Sequence, residues 1–291
     1  MASWTHLIRF IAVEDSEIYL GQLVDSSQDI GLDSLNGKEI SAHLIEGNIF
    51  DGTVTDQVFH VKRVSLAKPE SSETHIKSPC RIKYFLNQKK AHTDREFEYL
   101  KLLSHVSREQ CDYIRCLGLN YADHARECNL ELPNTPIVFT KPRSALSGPY
   151  PAVINVPKCA QDGTSDYEAE LCLVIGKTGR DIPEEKALEH VLGYTASNDV
   201  SARGLQRANA QWSFSKGLDG SCPIVLVALS IITDPQALTI KAIYNGATVQ
   251  DGHTRDMIFD VKKQISYLSQ GTTLEAGTII LTGTPAGIGC L

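Results

Sequence analysis

Residues 166–177, DYEAELCLVIGK, decide how the chain is read. Ala169, Leu171, Cys172, Leu173, Val174 and Ile175 form an apolar run of strand length, the pattern of a buried β-strand. The same run carries Glu168 and Glu170. Alternate residues of a strand share a face, about 7 Å apart along the chain. Two carboxylates therefore stand side by side on a strand that otherwise asks for burial. Unpaired charge in a low-dielectric interior is costly, and like charges repel. Either that face is wet, as on an edge strand, or a cation lies on it.

Working outward, the chain has 291 residues, of which 42% are hydrophobic and 22% charged, values of an ordinary globular protein. This length suits one large domain, or a large one with a small companion. The formal net charge is -7 and no Lys/Arg-rich block occurs, which argues against nucleic acid or an anionic membrane as the main partner. An acidic substrate would need a local cation. The eight cysteines (Cys80, Cys111, Cys116, Cys128, Cys159, Cys172, Cys222 and Cys290) form no C-x-x-C pair, and several lie in apolar runs. They read as reduced thiols of an intracellular protein. No apolar stretch is long enough to span a membrane, and the opening MASWTHLIRFIAVEDSE has neither a signal-peptide nor a transit-peptide pattern. The expected location is the cytoplasm, with the mitochondrion as alternative.

Residues 1–105 alternate short apolar runs with polar breaks (HLIRFIAV, IYLGQLV, HLIEGNIF, FHVKRVSL), which predicts a small β-rich N-terminal lobe. KPESSETHIK, 68–77, reads as a loop. From 106 to 291 strand candidates (YIRCLGLN, AVINVP, AELCLVIG, CPIVLVAL, LTIKAIYN, GTIILTG) alternate with helical stretches (YADHARECN, EEKALEHVLGYTASN, MIFDVKKQISYLSQG). The predicted class is α+β and β-rich.

Several residues could carry chemistry. Glu168 and Glu170 with a third carboxylate would suit a hard divalent cation such as Mg²⁺. Asp199, in ASNDVSARGLQ, is the candidate third; its plainer role is to cap a helix starting at Val200. His124 and Glu127 share a face if YADHARE is helical, so the carboxylate could orient the imidazole as a general base; a surface i,i+3 pair is the plainer reading. Lys141, Lys216 and Gln206 could meet a substrate carboxylate or enolate, although most such side chains are merely solvated. GTIILTGTPAGIG ends in a glycine-rich turn, Gly283 to Gly289, that is neither a Walker loop nor a dinucleotide fingerprint. Its amides and the Thr284 hydroxyl could hold a carboxylate.

The ordered set is more specific than any piece. RCLGLNYADHARE, FTKP, YEAELCLVIGK, SNDVSARGLQ, SKGLDGSCPI and ILTGTPAGIG, spread over about 111–289, together resemble the fumarylacetoacetate hydrolase family, most of all its acylpyruvate hydrolases and oxaloacetate decarboxylases. The resemblance implies a mixed β-roll, a homodimer, and Mg²⁺ or Mn²⁺ in a cleft. It assigns Glu168, Glu170 and Asp199 as metal ligands. His124 and Glu127 become a dyad on a lid-like helix, Lys216 a catalytic cation, and Lys141, Gln206 and Thr284 substrate contacts.

The implied substrate is a small 2-oxo or 1,3-diketo acid. The implied chemistry is C–C cleavage through an enolate, by decarboxylation (oxaloacetate-like) or hydrolysis (acylpyruvate-like). Oxaloacetate tautomerisation, dienedioate isomerisation, a tailoring role and a non-catalytic homologue are the alternatives. The sequence departs from the family pattern at Gly204, where an acidic residue is common, and at Leu218, where an aromatic is. The family also continues a few tens of residues beyond its TGTP loop, so a shortened C-terminal end is expected here.

Overall fold

The computed structural model describes residues 4–28, 37–65, 106–149, 154–224 and 232–289, with isolated positions between them. The loop expected over 68–77 lies outside the described residues. The strands that position the site are β1 (His6–Ile11), β2 (Ile18–Leu23), β3 (Ser41–Glu46), β4 (Thr53–His60), β5 (Ile114–Gly118), β6 (Ile137–Lys141), β7 (Ala169–Ile175), β8 (Val191–Asn198), β9 (Val227–Ala228) and β10 (Ile279–Leu281). They belong to an 11-stranded sheet in the order β6-β5-β10-β7-β8-β9-β1-β2-β3-β4, with the short strand Leu102–Leu103 joined to β1. All pairs are antiparallel except β10 with β5. The hairpin Thr239–Tyr244/Ala247–His253 belongs to a separate three-stranded sheet with Ile82–Lys83.

The strand expected from the opening stretch is β7, and every one of its residues is buried. One face carries Ala169, Leu171, Leu173 and Ile175 into a core closed by Tyr194, Ile280 and the helix α4 (Val261–Ser269). Asp260 starts that helix by accepting a hydrogen bond from the Lys263 amide at 2.8 Å. The opposite face carries Cys172 and Val174 into a second core, shared with Trp4, Leu7, Ile45 and Ile49 from the N-terminal segment. The predicted N-terminal strands are present, and they extend the sheet rather than forming one of their own.

Two local expectations are corrected. EEKALEHVLGYTASN is not one helix: Glu184–His190 is a 3-10 helix, and Val191–Asn198 is the strand β8. Leu192, Tyr194 and the β-branched Val191 and Thr195 favour a pleated surface, and pairing along all of β7 outweighs the helical bias of the preceding glutamates and lysine. AVINVP is not a strand over its described part, 154–157. Among the described residues no helix is long and apolar enough to cross a membrane. The six described cysteines are free thiols.

Candidate metal centre and active site

Glu168 and Glu170 stand at the start of β7 on the face that carries Cys172 and Val174. The β7–β8 register sets Ala169 against Asn198, so the chain leaves β8 at Asp199 beside Glu168. The Asp199 amide donates to the Glu168 carbonyl at 2.9 Å, and the Glu168 amide donates to Asn198 Oδ1 at 3.0 Å. Oxygens of Glu168, Glu170 and Asp199 come within 4.8 Å of one another, and all three residues are buried. Asp199 precedes the short strand Ser201–Ala202; the helix α2 (Arg203–Ala208) starts later, so Asp199 does not cap it.

Three cations line one side. Lys216, at the end of α3 (Ser213–Lys216), donates to Glu168 Oε2 at 2.7 Å and to Asp199 Oδ2 at 2.8 Å, over the Phe139 ring. Lys141, at the end of β6, lies 2.7 Å from Asp199 Oδ1. Its ammonium also donates to the carbonyls of Lys216, Ser221 and Val200 and to Ser221 Oγ. Arg203 lies 2.7 Å from Glu168 Oε1 and from Asp166 Oδ2.

This arrangement splits the carboxylates. Burial alone would raise Glu168, but Lys216 and Arg203 outweigh it and hold the carboxyl at about 2. Burial likewise opposes the charge of Lys216, and Asp199 and Glu168 carry it back up to about 12. Glu170 goes the other way: burial, then the charges of Asp199 and Glu168, push it well above the usual carboxylate range. Its Oε2 accepts the Gly283 amide at 2.7 Å, while Oε1 has no hydrogen-bond partner among the described residues. Three converging hard oxygen donors, one with an unused buried oxygen, fit a divalent cation with carboxylate ligands.

The dyad is assembled on α1 (Ala122–Glu127). His124 Nδ1 lies 3.0 Å from Glu127 Oε2, and His124 is close enough to act electrostatically on Glu168. Glu127 Oε1 accepts the Gly287 amide at 2.8 Å, latching the helix to the glycine-rich turn. Gly283 and Gly287 have positive φ (94° and 104°), and an added Cβ at Gly287 would fall 2.0 Å from the Val249 carbonyl oxygen. The turn does hold carboxylates, but they are the protein's own. Gly283 serves Glu170, Gly287 serves Glu127, and Gly289 serves Asp166 Oδ1 at 2.9 Å.

Of the residues singled out from sequence, Glu168, Glu170, Asp199 and Lys216 meet in one cluster, with Lys141 bound behind Asp199. Gln206 is one step removed, accepting from Arg203 at 2.9 Å. The Thr284 hydroxyl is engaged by the scaffold: it donates to the Ala169 carbonyl and accepts from Gln250 Nε2 at 2.7 Å. Arg203, Asp166, Gln250 and Asn120 were not anticipated. Asn120 ties the turn before α1 to both the Phe259 backbone and the Thr282 carbonyl. Only Arg203 carried a signal, as a cation four residues after Asp199.

The fumarylacetoacetate (FAA) hydrolase C-terminal model matches residues 113–290. The chain belongs to the fumarylacetoacetate hydrolase family. It is 41% identical to a caffeoylpyruvate hydrolase of Neonothopanus nambi over 99% of this chain and 83% of the relative. It is 38% identical to a mitochondrial oxaloacetate tautomerase of Xenopus laevis over 72% of this chain and 70% of the relative. The crystal structure of a 2-hydroxyhepta-2,4-diene-1,7-dioate isomerase from Mycobacterium marinum superposes with a TM-score of 0.70 at 26% identity, covering 99% of this chain and 90% of that one. The family's fold, β-rich and mixed with short helices, is the fold of this chain. The family members it resembles are enzymes, and so is this chain.

Proposed function

We propose that the chain hydrolyses an acylpyruvate, a 2,4-dioxo acid, to pyruvate and a carboxylic acid with a divalent cation, Mg²⁺ or Mn²⁺. The observation that carries this reading is the carboxylate-oriented imidazole of His124, held by Glu127 and the Gly287 amide beside Glu168. Hydrolysis requires a base for water, whereas loss of CO₂ from oxaloacetate does not. The full-length similarity to a caffeoylpyruvate hydrolase supports the same choice.

Glu168, Glu170 and Asp199 would hold the cation, which would supply Lewis acidity and positive charge to the site. With Nδ1 hydrogen-bonded to Glu127, His124 presents Nε2 to take a proton from water. That water adds to the distal carbonyl. The bond between that carbonyl carbon and the CH₂ breaks, its electron pair goes to the CH₂ carbon, and the proton returns there to give pyruvate. Lys216 adds positive charge next to Glu168 and Asp199. Gln206 and Thr284 would flank the substrate's polar end, and Lys141 would act through Asp199.

A homodimer in the cytoplasm, or in the mitochondrion where the Xenopus laevis relative is named as resident, completes the reading. So does a division near residue 105 between an N-terminal lobe and the catalytic unit. Light scattering, microscopy and limited proteolysis address these in turn.

The primary test is an NMR assay of the purified protein with Mg²⁺ against acetylpyruvate and oxaloacetate in parallel, with an EDTA control. Metal-dependent release of acetate and pyruvate supports the proposal. Conversion of oxaloacetate alone would replace it with a tautomerase or decarboxylase.

A further inference from the structure

The β7–β8 register pairs Glu170 directly with Ser197. Opposed residues of an antiparallel pair project to the same side of the sheet, with Cβ atoms about 4.5–5.5 Å apart. Ser197 is fully buried and Glu170 is 1% exposed. On this one rung, Glu170 Oε1 and Ser197 Oγ both lack a hydrogen-bond partner among the described residues. The neighbours are committed elsewhere. Glu170 Oε2 takes the Gly283 amide, the Cys172 thiol points at the Leu173 carbonyl, and the Thr195 hydroxyl donates to the Ala196 carbonyl.

Buried polar atoms are almost always satisfied, and two unsatisfied ones on a single rung call for a common partner. Packing does not explain the hydroxyl, since alanine would fill the position with one polar atom fewer. A hydroxyl can donate and accept, so it can serve either a carboxylate or a water.

We infer that Ser197 is a positioning residue of the metal centre, its hydroxyl acting with Glu170 Oε1 on a water of the cation's shell and so fixing the direction of that ligand oxygen. The inference rests on the reading of Glu168, Glu170 and Asp199 as cation ligands. It adds a residue from β8 to a centre otherwise built from β7, Asp199 and the cations behind them.

Ser197→Ala and Ser197→Cys, the second nearly preserving volume, test it in the full chain. Mn²⁺ affinity is read by electron paramagnetic resonance of the free ion, the water shell by proton relaxation enhancement at saturating protein, and stability by melting in EDTA. Both variants are expected to bind Mn²⁺ about 10–100-fold more weakly. Both should alter the relaxation enhancement and melt in EDTA no lower than wild type, because each removes or replaces an unsatisfied buried hydroxyl. Mn²⁺ affinity and enhancement equal to wild type would overturn the inference. So would an affinity loss accompanied by a lower melting temperature in EDTA, the mark of a packing role. If wild type itself binds no Mn²⁺, the metal reading falls and takes this inference with it; if wild type binds and the variants match it, Ser197 alone is removed.

Discussion

Glu168 and Glu170 leave one strand face two residues apart, but they meet different walls. Around Glu168 the wall is cationic, with Lys216 and Arg203 each 2.7 Å away. Glu170 forms no ion pair among the described residues: the Gly283 amide holds one oxygen, the Ser197 hydroxyl lies on the paired strand, and the nearby charges of Asp199 and Glu168 repel it. The same residue type therefore has opposite electrostatics. The protein supplies its own countercharge to the first carboxylate and pairs the second with no cation of its own among the described residues.

The sharpest way to break this contrast is to neutralise each acid in turn. Glu168→Gln removes one of the two buried carboxylates that Lys216 and Arg203 each contact, leaving them Asp199 and Asp166, and should cost up to about 3–5 kcal/mol of stability in urea titrations. Glu170→Gln should leave the metal-free protein as stable as wild type or more so. It should also abolish the thermal shift with Mg²⁺, which for wild type at 100 times its Kd corresponds to about 2.7 kcal/mol. Equal destabilisation by both changes would erase the distinction.

Removing the base comes next. His124→Ala should lower acylpyruvate hydrolysis by about 10²–10⁴-fold while keeping the Mg²⁺-induced shift, because the dyad lies outside the ligand set. Loss of both would mean that α1 shapes the metal centre itself.

The pH dependence of stability in EDTA sharpens the contrast further. Glu168 sits at about 2 against an ordinary 4.5, so its contribution is present above 4.5 and is lost as pH falls toward 2. Glu170 is raised, so its contribution is present at low pH and is lost as pH rises through its elevated value. Glu168→Gln should flatten the acid limb and Glu170→Gln the opposite one, measured by melting temperature across pH.

The smallest effect is expected at Thr284. Thr284→Val leaves Gln250 Nε2 with one acceptor fewer and the Ala169 carbonyl without this donor, at about 1–3 kcal/mol. Its effect on KM separates a scaffold hydroxyl from a substrate contact. Unchanged KM favours the scaffold.

The candidate site was legible in the sequence wherever a motif keeps chemistry local. Glu168 and Glu170 lie on one strand face and His124 and Glu127 on one helical turn, so spacing alone sets their relations. β7, β5 and α4 were legible from apolar periodicity. The second half of EEKALEHVLGYTASN was not, because its identity as β8 depends on a partner strand distant in sequence. Asp166, Arg203, Gln250 and Ser197 were missed for the same reason. Their roles come from register and from turns that bring far-apart segments together, and only the spacing of Arg203 from Asp199 hints at one of them.

The glycine-rich turn has a consequence for spectroscopy. Gly283, Gly287 and Gly289 each donate a backbone amide to a different carboxylate: Glu170, Glu127 and Asp166. Glycine amide nitrogens resonate apart from those of other residues, so three well-separated cross-peaks would report on three events. The Gly283 peak would report on any cation that reaches Glu170, the Gly287 peak on the contact of Glu127 with the turn, and the Gly289 peak on Asp166. Watching which peak moves first as Mg²⁺ and then substrate are added would give the order of events at the site from one stretch of backbone.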